Sequence, residues 1–273
     1  MREAFIYKTA PFSHLISPTL EKASCCHLFT CKDGGVSEGY FKSFNFAAGS
    51  GELCDSWENV VENHRLAAEY MGFTKEDICR SYQTHSLEVR VVDRSYRGKG
   101  LVHPPFDCGV DGLVCKEEGV LLSVRGADCV TVLLYDGKNR VCGACHSGWR
   151  GTLGKIAAKT ALSMCAIGAE AEHIVAAIGP SARSCCYNVG EELYESFLAQ
   201  DVSNRAFFQN RDGKLYLDLQ GAVVSALEEA GLKEENIADG GECSICNENR
   251  YFSHRRSGVL RGTMAGFIGI REG

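Results

Sequence analysis

The sequence predicts an α+β fold in which helices and strands pack as a layered sandwich. Short β-rich runs alternate with segments whose apolar residues recur at helical spacing, and that mixture is typical of layered α+β proteins. The runs between residues 120 and 145 are mostly apolar and include a short turn at 136–139, which predicts a buried hairpin. Because the chain contains no repeat, low-complexity tract or Pro/Ser-rich linker, residues 1–273 are predicted to form one domain.

Helix start and stop signals predict four helices. Asp55 is the predicted N-cap of the first, because Glu58 follows three residues later as in a capping box, and Gly72 is its predicted end. The others are predicted over 153–166, after Gly190, and from near Asp218 to Gly231. Strands are predicted over 88–92, 120–124, 130–135, 140–145 and 174–178. The two kinds of element therefore alternate along the chain, as a layered arrangement requires.

Composition narrows the class of protein. The 273 residues carry a net charge of −6, and this acidic balance argues against broad binding to nucleic acid or to anionic membranes. No apolar run approaches the roughly 18 residues that a membrane span needs. Residues 1–10 contain an early acid and lack the apolar run of a signal peptide. We therefore expect a cytoplasmic protein.

The 15 cysteines include two C-x-x-C pairs, Cys142 with Cys145 and Cys243 with Cys246. In a cytosolic chain most cysteines are expected to be free and to pack as small hydrophobes. We predict packing roles for both pairs, because they lie too far apart in sequence for a typical zinc ribbon. Cys142 to His146 also matches the C-x-x-C-H pattern of haem attachment. A predicted buried strand in a cytosolic chain does not favour that interpretation.

Three segments place reactive side chains at the ends of predicted elements. His85, Cys129 and His146 lie in these segments and together offer two imidazoles and one thiolate. Such a set suits zinc, and three protein ligands leave a fourth position for water or substrate, as in catalytic sites. Spacing alone is weak support, because the three residues are far apart in sequence. A Cys-His hydrolase, with Cys129 as nucleophile and His146 as its base, is an alternative.

The segment after His146 also offers a candidate anion site. It enters the helix predicted at 153, so its backbone N–H groups are able to face an anion at the helix N-terminus. Arg150 lies in this segment and would reinforce the site through a charge-assisted contact. A solvent-facing arginine is the simpler interpretation of the same residue.

Ordered motifs from about Thr30 to Ile270 resemble those of the YfiH-type, laccase-domain family. This family is also described as multicopper polyphenol oxidoreductase-like and as purine nucleoside phosphorylases. The matching strings, each given with its first residue, are DGGVSEG (Asp33), SFNF (Ser43), QTH (Gln83), DGLV (Asp111), ADCVTVLL (Ala127), HSGWRG (His146), GP (Gly179), CYNVGEE (Cys186), LDL (Leu217) and YFSHRR (Tyr251).

The resemblance implies a single-domain four-layer α/β/β/α sandwich with mixed sheets. It also implies that the metal ligands fall on His85, Cys129 and His146. The sequence departs from the usual family pattern at Thr131, Asn188 and His254, and in having Cys145 and Ser147 on either side of His146. The three ligands survive these changes, but a change in substrate preference is expected if Asn188 or His254 lines the pocket.

Two activities are implied by the resemblance. One is copper-dependent oxidation of phenols. The other is purine nucleoside chemistry: phosphorolysis of adenosine, inosine and methylthioadenosine, and deamination of adenosine. The residues favour the second, because laccase-type oxidation needs several coppers and many histidines. The chain has eight histidines, of which two belong to the predicted site, and no His-x-His pair. Zinc is the predicted cofactor with copper as the alternative, and the partners are purine nucleosides and phosphate.

Polar residues beside these motifs are candidates for the remaining roles. Asp128 adjoins a predicted ligand and is our candidate for general acid/base work or for orienting a histidine. Arg65 and Arg150 are the candidates for phosphate binding, and Asn45 and Gln83 for binding other parts of the substrate. The sequence leaves the preferred nucleoside, the metal in the cell and the oligomeric state open.

Overall fold

The computed structural model describes residues 4–49 and 54–272. The first three residues of the N-terminal segment in which we expect no signal peptide lie outside this part of the chain. The strands are β1 (Ile6–Lys8), β2 (His14–Ile16), β3 (Cys26–Thr30), β4 (Ile78–Arg80), β5 (Val89–Val91), β6 (Gly112–Cys115), β7 (Val120–Gly126), β8 (Val130–Asp136), β9 (Val141–Ser147), β10 (Ile174–Ile178), β11 (Asn188–Val189), β12 (Phe208–Arg211), β13 (Lys214–Leu217), β14 (Ile237–Asp239) and β15 (Met264–Ile270). The helices are α1 (Pro18–Lys22), α2 (Trp57–Tyr70), α3 (Trp149–Leu153), α4 (Ile156–Ala166), α5 (Glu191–Gln200), α6 (Leu219–Glu229) and α7 (His254–Ser257).

Two six-stranded mixed sheets form the centre of the fold, which confirms the predicted α+β class. The first has the order β1-β2-β3-β15-β7-β4, and β15 pairs antiparallel with both β3 and β7. The second has the order β14-β10-β8-β9-β6-β5, with β8 and β9 forming an antiparallel pair. A third sheet has the order β11-β13-β12. No helix of the described residues has the length and apolar character needed to cross a membrane.

Packing alternates across the strands of the second sheet. On β8, Leu133 belongs to a cluster that also contains Phe29 and Val124 of the first sheet, whereas its neighbour Leu134 packs with Met164 on α4. This alternation follows from the two-residue period of a strand. Helix α6 shares the second of these clusters, and α2 packs with the first sheet in a third cluster. These contacts support the four-layer order that the resemblance implies, and we propose on this basis that residues 1–273 form one domain.

The predicted hairpin is confirmed for β8 and β9 but not for the run before them. Strand β7 belongs to the first sheet, where it lies between β15 and β4, so the chain changes sheets at residues 127–129. Apolar character predicts that strands are buried, but it does not say which sheet each one joins. The crossing matters because it carries Cys129.

Two helix boundaries also differ from the predictions. The N-cap of α2 is Ser56, whose hydroxyl accepts from the backbone N–H of Asn59, while Asp55 lies outside the helix. The helix predicted at 153–166 corresponds to α4, which begins at Ile156, and the separate short helix α3 precedes it; Lys155 between them has left-handed backbone with φ 56°. Close packing of Leu87 explains Gly154 at this break, because a Cβ there would lie 2.3 Å from the Leu87 side chain. Helices α5 and α6 follow Gly190 and Asp218, as predicted.

Asp136 closes the turn between β8 and β9 and generates a prediction about acid stability. Its buried carboxylate accepts from the backbone N–H groups of Lys138, Asn139 and Glu170 and from the Asn139 side chain. Burial by itself raises the pKa of Asp136, but these hydrogen bonds outweigh it and lower the pKa below its usual value. A carboxylate whose pKa is lowered by folding stabilises the fold above its unfolded pKa of about 3.9, and the contribution is lost as pH falls through the lower folded pKa.

We therefore expect Asp136→Asn to lower the free energy of unfolding at pH 7 by about 1–3 kcal/mol. The difference from the unmodified chain should shrink as the pH falls below about 4, and urea unfolding at several pH values measures it. Asp212→Asn in the exposed β12–β13 turn is the control and should change little at any pH. An Asp136→Asn penalty that is independent of pH would contradict this role.

Candidate metal centre

His85, Cys129 and His146 come together in the fold. The ligand atoms of these three side chains all lie within 4.8 Å of one another. His85 is on the loop between β4 and β5, Cys129 is at the crossing from β7 to β8, and His146 is on β9. His85 is exposed and His146 is buried, so the group lies at the boundary between core and surface. The donors thus fit a zinc ion with a fourth position open to the outside.

Local backbone geometry makes this approach possible. His85 has a φ of 61° and Asp128, next to Cys129, has a φ of 92°, so both turns contain a non-glycine residue in the left-handed region. Such backbone is costly for these residues and persists where surrounding contacts hold it. Gly148 is required for a separate reason: a Cβ there would lie 2.6 Å from His85 Nδ1 and 3.1 Å from Cys129 Sγ.

A single buried carboxylate, that of Asp111, holds both histidines. Its Oδ1 accepts from His146 Nδ1 at 2.7 Å and from the backbone N–H of His85 at 3.1 Å. Its Oδ2 accepts from the backbone N–H groups of Thr84 and Ser86 and from the Ser86 hydroxyl. With Nδ1 engaged, His146 presents Nε2 to Cys129. A carboxylate on the far nitrogen of a histidine ligand fixes its tautomer and its orientation.

The electrostatics of the two histidines differ. Burial lowers the pKa of His146, but the Cys129 thiol and the Asp111 carboxylate outweigh it and raise the pKa to about 9. Burial lowers the pKa of His85, and the nearby His146 and Arg150 lower it further. A metal ion would therefore displace a proton mainly from His146, because a ligating imidazole has to be neutral at the donor nitrogen.

Asp128 does not have the direct catalytic position that we predicted. Its carboxylate accepts from the hydroxyls of Ser244 and Ser253, at 2.6 and 3.0 Å, and from the backbone N–H of Arg255 at 2.6 Å. These three contacts hold the carboxylate away from the cavity described below, which Asp128 does not line. From these contacts we infer that Asp128 positions Cys129 and that Asp111 orients the histidine.

A cavity of about 520 Å³ opens beside the three ligands. All three line it, together with Gln83, which we predicted at the site. The other lining residues are Ala47, Ala48, Gly49, Trp57, Arg80, Tyr82, Arg125, Gly126, Ala127, Arg261 and Thr263. The volume lies within the roughly 300–1,000 Å³ typical of small-molecule sites. The lining contains no carboxylate among the described residues.

Arg80, Arg125 and Arg261 give the cavity wall a concentrated positive charge. No ion pair joins any of them to a carboxylate in the described part of the chain, and each has a buried Nε without an acceptor. Burial lowers all three pKa values, that of Arg125 to about 10; Arg125 lowers the pKa of Arg80 further, and Arg261 does the same to Arg125. A buried charge without a partner is costly, so the arrangement favours an anionic ligand.

The structure does not bring the other predicted arginines to this wall. Arg65 lies on α2 and pairs with Glu62 and Glu69 on the same helix. Arg150 is exposed and stacks on Trp149, with its guanidinium carbon 4.2 Å from the ring centroid. The helix predicted to bind an anion here, α3, has only five residues. Neither arginine lines the cavity.

Asn45 shapes the cavity from behind rather than lining it. The side chain is fully buried; Nδ2 donates to Asp55 and to Ala47 O, and Oδ1 accepts from the backbone N–H of Thr263. It therefore positions Ala47 and Thr263, which do line the cavity, and is not the direct substrate ligand that we predicted. Gln83 is held by contacts to the Arg125 backbone. Asn188 and His254 lie outside the cavity, so the structure gives no support to the predicted effect on specificity.

Sequence reasoning missed Asp111 and the three cavity arginines. Asp111 starts the DGLV string, directly before a buried strand, and an acid in that position is a usable signal for a buried structural role. The arginines carry no such signal, because each lies in an ordinary context and only the fold brings them together. The haem interpretation also fails, since Cys142 and Cys145 are buried on β9 and pack into different clusters.

The fold is a mixed α+β arrangement that brings His85, Cys129 and His146 together as a candidate metal-binding group. The family described as multi-copper polyphenol oxidoreductase laccase matches residues 26–271. The crystal structure of YlmD from Geobacillus stearothermophilus superimposes with a TM-score of 0.85 at 32% identity, covering 98% of this chain and 100% of that one. Bacillus licheniformis YfiH gives a TM-score of 0.87 at 28% identity, covering 97% and 99%. The chain belongs to this laccase-like family.

Curated relatives have names that point to nucleoside chemistry. A purine nucleoside phosphorylase of Deinococcus radiodurans is 36% identical over 252 residues, which are 90% of each chain. Adenosine deaminase RL5, from an unknown prokaryotic organism, is 34% identical over 77% of this chain and 81% of that protein. The purine nucleoside phosphorylase LACC1 of Mus musculus is 34% identical over 90% of this chain, but the match spans only 56% of LACC1.

The contacts of Asp111 generate a prediction for metal binding. Asp111→Asn keeps the shape of the side chain but removes the charge that supports His146 and the 84–86 loop. We expect the affinity for zinc to fall about 10- to 100-fold, measured by competition with a chelating dye. The cooperative thermal transition should persist, because the two large sheets do not depend on the loop.

Asp107→Asn is the matched control, because Asp107 is an exposed acid on the segment before β6 and lies outside the cavity lining. Its zinc affinity should equal that of the unmodified protein. An unchanged affinity in Asp111→Asn would show that the Asp111 charge does not support the metal.

Proposed function

We propose that the chain is a zinc-dependent purine nucleoside enzyme. The proposed reactions are phosphorolysis of adenosine, inosine and methylthioadenosine, and deamination of adenosine. The observation that carries the proposal is one cavity that joins the His85–Cys129–His146 set to three arginines without carboxylate partners. The names of the relatives support the same class of reaction.

The metal would be held by the two imidazoles and the thiolate, with Asp111 supporting His146. A bound zinc ion polarises an oxygen or activates water at its open position. We favour zinc over copper because two imidazoles and one thiolate, with a fourth position open, match the ligand set of catalytic zinc sites. Copper remains the alternative cofactor.

The arginines supply what phosphorolysis needs from the protein. Phosphate attacks the ribose carbon as the bond to the purine breaks, so the reacting sugar develops positive charge next to the anion. Arg80, Arg125 and Arg261 would bind the phosphate and orient it toward the sugar. A bound anion would also offset the repulsion among the three guanidinium groups, which gives binding a favourable electrostatic contribution.

Two aromatic residues of the lining are suited to the purine base. Trp57 and Tyr82 both line the cavity and are 41% and 43% exposed, so each has ring surface free for contact. Stacking of a base on an aromatic side chain contributes about 1–3 kcal/mol. We propose that the base lies against these rings while the ribose faces the arginines and the metal.

Phenol oxidation has less support from the site. The family's description names copper and polyphenols, which keeps this activity as the alternative. Laccase-type chemistry needs several coppers close together, bound mainly by histidines. Among the described residues, only the His85–Cys129–His146 group contains more than one histidine. The arginines would also bind an anionic phosphate more strongly than a neutral phenol, which offers them only cation–π contacts and hydrogen bonds without a charged acceptor.

A Cys-His hydrolase is the second alternative, and one observation favours it. Asp111, His146 and Cys129 adjoin one another in space in the order acid, base and nucleophile, with 2.7 Å between Asp111 Oδ1 and His146 Nδ1. The approach of His85 to the same thiol argues for a metal, because a catalytic triad has no use for a second imidazole there. Activity that survives complete removal of metal would favour the hydrolase.

The central prediction is that adenosine and phosphate yield adenine and ribose 1-phosphate, with some adenosine converted to inosine. Arg125→Ala should raise the KM for phosphate about 10- to 100-fold, with a smaller effect on the KM for adenosine, because it removes a charge-assisted contact to the anion. His146→Ala should abolish both reactions through loss of the metal centre. Chromatography of products at varied phosphate measures all three expectations.

Arg65→Ala is the matched control, because Arg65 lies on the α2 surface outside the cavity and should leave both KM values unchanged. Oxidation of phenolic dyes that depends on added copper, with no purine product from the same preparation, would favour the oxidase. Equal effects of the two arginine variants would reject the arginine wall as the phosphate site.

A further inference from the structure

A second thiol cluster lies outside the cavity. It is formed by Cys185 and Cys186, on the turn before β11, and by Cys243 and Cys246, on the turn after β14. The four sulfurs lie within 4.8 Å of one another, and Cys246 Sγ is 3.1 Å from Cys186 Sγ and 3.5 Å from Cys185 Sγ. None of the four lines the cavity. Two segments about 60 residues apart in sequence therefore meet through sulfur.

Packing does not explain this cluster. Cys185 and Cys246 are exposed, so our prediction that Cys246 is a buried packing residue is wrong. The other C-x-x-C pair shows what packing looks like: Cys142 and Cys145 are completely buried on β9 and belong to different hydrophobic clusters. Three positions apart on a strand, they face opposite sides of the sheet, whereas the turn after β14 directs Cys243 and Cys246 to one point.

The spacing of the sulfurs fits a tetrahedral ion. Zinc–sulfur bonds of about 2.3 Å at tetrahedral angles place the sulfurs about 3.8 Å apart. Two of the separations, 3.1 and 3.5 Å, are slightly shorter than that value, and the others are at most 4.8 Å. A disulfide would join only two of the four and would bring them to about 2.0 Å. Four sulfurs around one point are the ligand set of a closed structural zinc site.

The backbone around Cys243 is arranged for a thiolate. Burial raises the pKa of Cys243, but hydrogen bonds from the backbone of Cys246, Arg183 and Ile245 outweigh it and lower the pKa below its usual value. Burial and the contact with Cys246 raise the pKa of Cys185 to about 11.

We propose that Cys185, Cys186, Cys243 and Cys246 bind a second zinc ion, which braces the segments that support the cavity's metal centre. Ser244, between two of these ligands, donates to the Asp128 carboxylate at 2.6 Å, and the backbone N–H of Ala182 donates to Asp128 O at 2.8 Å. Both thiol-bearing segments thus hold the residue that precedes Cys129. The role is structural, since four protein ligands leave no open position.

Metal content of the full chain tests this inference directly. Protein purified with zinc and freed of loose metal should contain two zinc ions per chain. Cys243→Ser should lose one of them and Cys129→Ser the other, so that the two losses are separable. Cys142→Ala with Cys145→Ala is the matched control, because it removes the other C-x-x-C pair, and it should retain both ions.

Cobalt substitution supplies a readout that does not depend on activity. Cobalt-loaded Cys129→Ser should keep the strong thiolate-to-cobalt charge-transfer band and the visible absorption of a tetrahedral tetrathiolate site. The same bands should be absent from Cys243→Ser, and chelation of the remaining metal in Cys129→Ser should lower the melting temperature. Because the site is structural, the zinc-loaded Cys246→Ser variant should melt at a lower temperature than the unmodified chain and should keep most of its purine activity.

Several outcomes would overturn the inference. One zinc per chain that disappears entirely in Cys129→Ser would do so, as would a Cys186–Cys246 disulfide found by mass spectrometry of unreduced, alkylated protein. Retention of both zinc ions in Cys243→Ser and in Cys246→Ser would also overturn the inference. If Cys243→Ser does not fold, the cobalt spectrum of the unmodified chain decides: tetrathiolate bands support the site, and their absence rejects it.

Discussion

The hydrogen bonds of the Asp111 carboxylate are the interaction on which the metal centre depends. Asp111 directly precedes β6, yet it accepts from the 84–86 loop and from His146 on the neighbouring strand β9. The carboxylate is completely buried, so its charge has to be satisfied by those donors. Removing any one donor leaves a buried acceptor short of partners. The position of His85 is therefore coupled to that of His146 through a group that binds neither metal nor substrate.

A second carboxylate gives the thiolate ligand a similar support. Asp128 has left-handed backbone at the point where the chain leaves the first sheet for the second, and its side chain is held by Ser244, Ser253 and the N–H of Arg255. The strain at this residue is offset by contacts from segments more than 100 residues away in sequence. The turn that carries His85 is thus held by the buried Asp111, and the turn that carries Cys129 is held by the buried Asp128. His146 is already fixed by strand β9, so Asp111 has only to set its tautomer and orientation. Rigid positioning of this kind keeps three donors in place while leaving the fourth direction open.

The sequence allowed the fold class and the strands β5 and β7 to β10 to be predicted, because apolar runs and turn residues report burial locally. It did not allow β7 and β8 to be assigned to different sheets, because a buried strand is equally apolar whichever sheet it joins. Residue type alone suggested His85, Cys129 and His146 as a metal-binding set, and motif resemblance strengthened the prediction, because nothing in their spacing links them. Arg65 was chosen for its residue type and proved to pair within its own helix. Arg80, Arg125 and Arg261 were missed because pairing, or its absence, is a property of the folded chain.

If the proposed function holds, the charge distribution makes the cavity select its ligand by negative charge rather than by an aromatic ring. The whole chain carries −6, so it does not attract anions from a distance, and screening limits long-range attraction to about 10 Å in ordinary salt. Recognition has to come from the cavity wall, where three arginines with lowered pKa values share a partly buried space. Binding a phosphate there raises those pKa values again, and by linkage the same free energy favours the bound anion. A neutral phenol carries no negative charge that would raise these pKa values, so its binding does not gain this free energy. The aromatic rings at Trp57 and Tyr82 are able to bind either kind of molecule, so the arginines, and not the rings or the metal alone, separate the two activities for which this family is named.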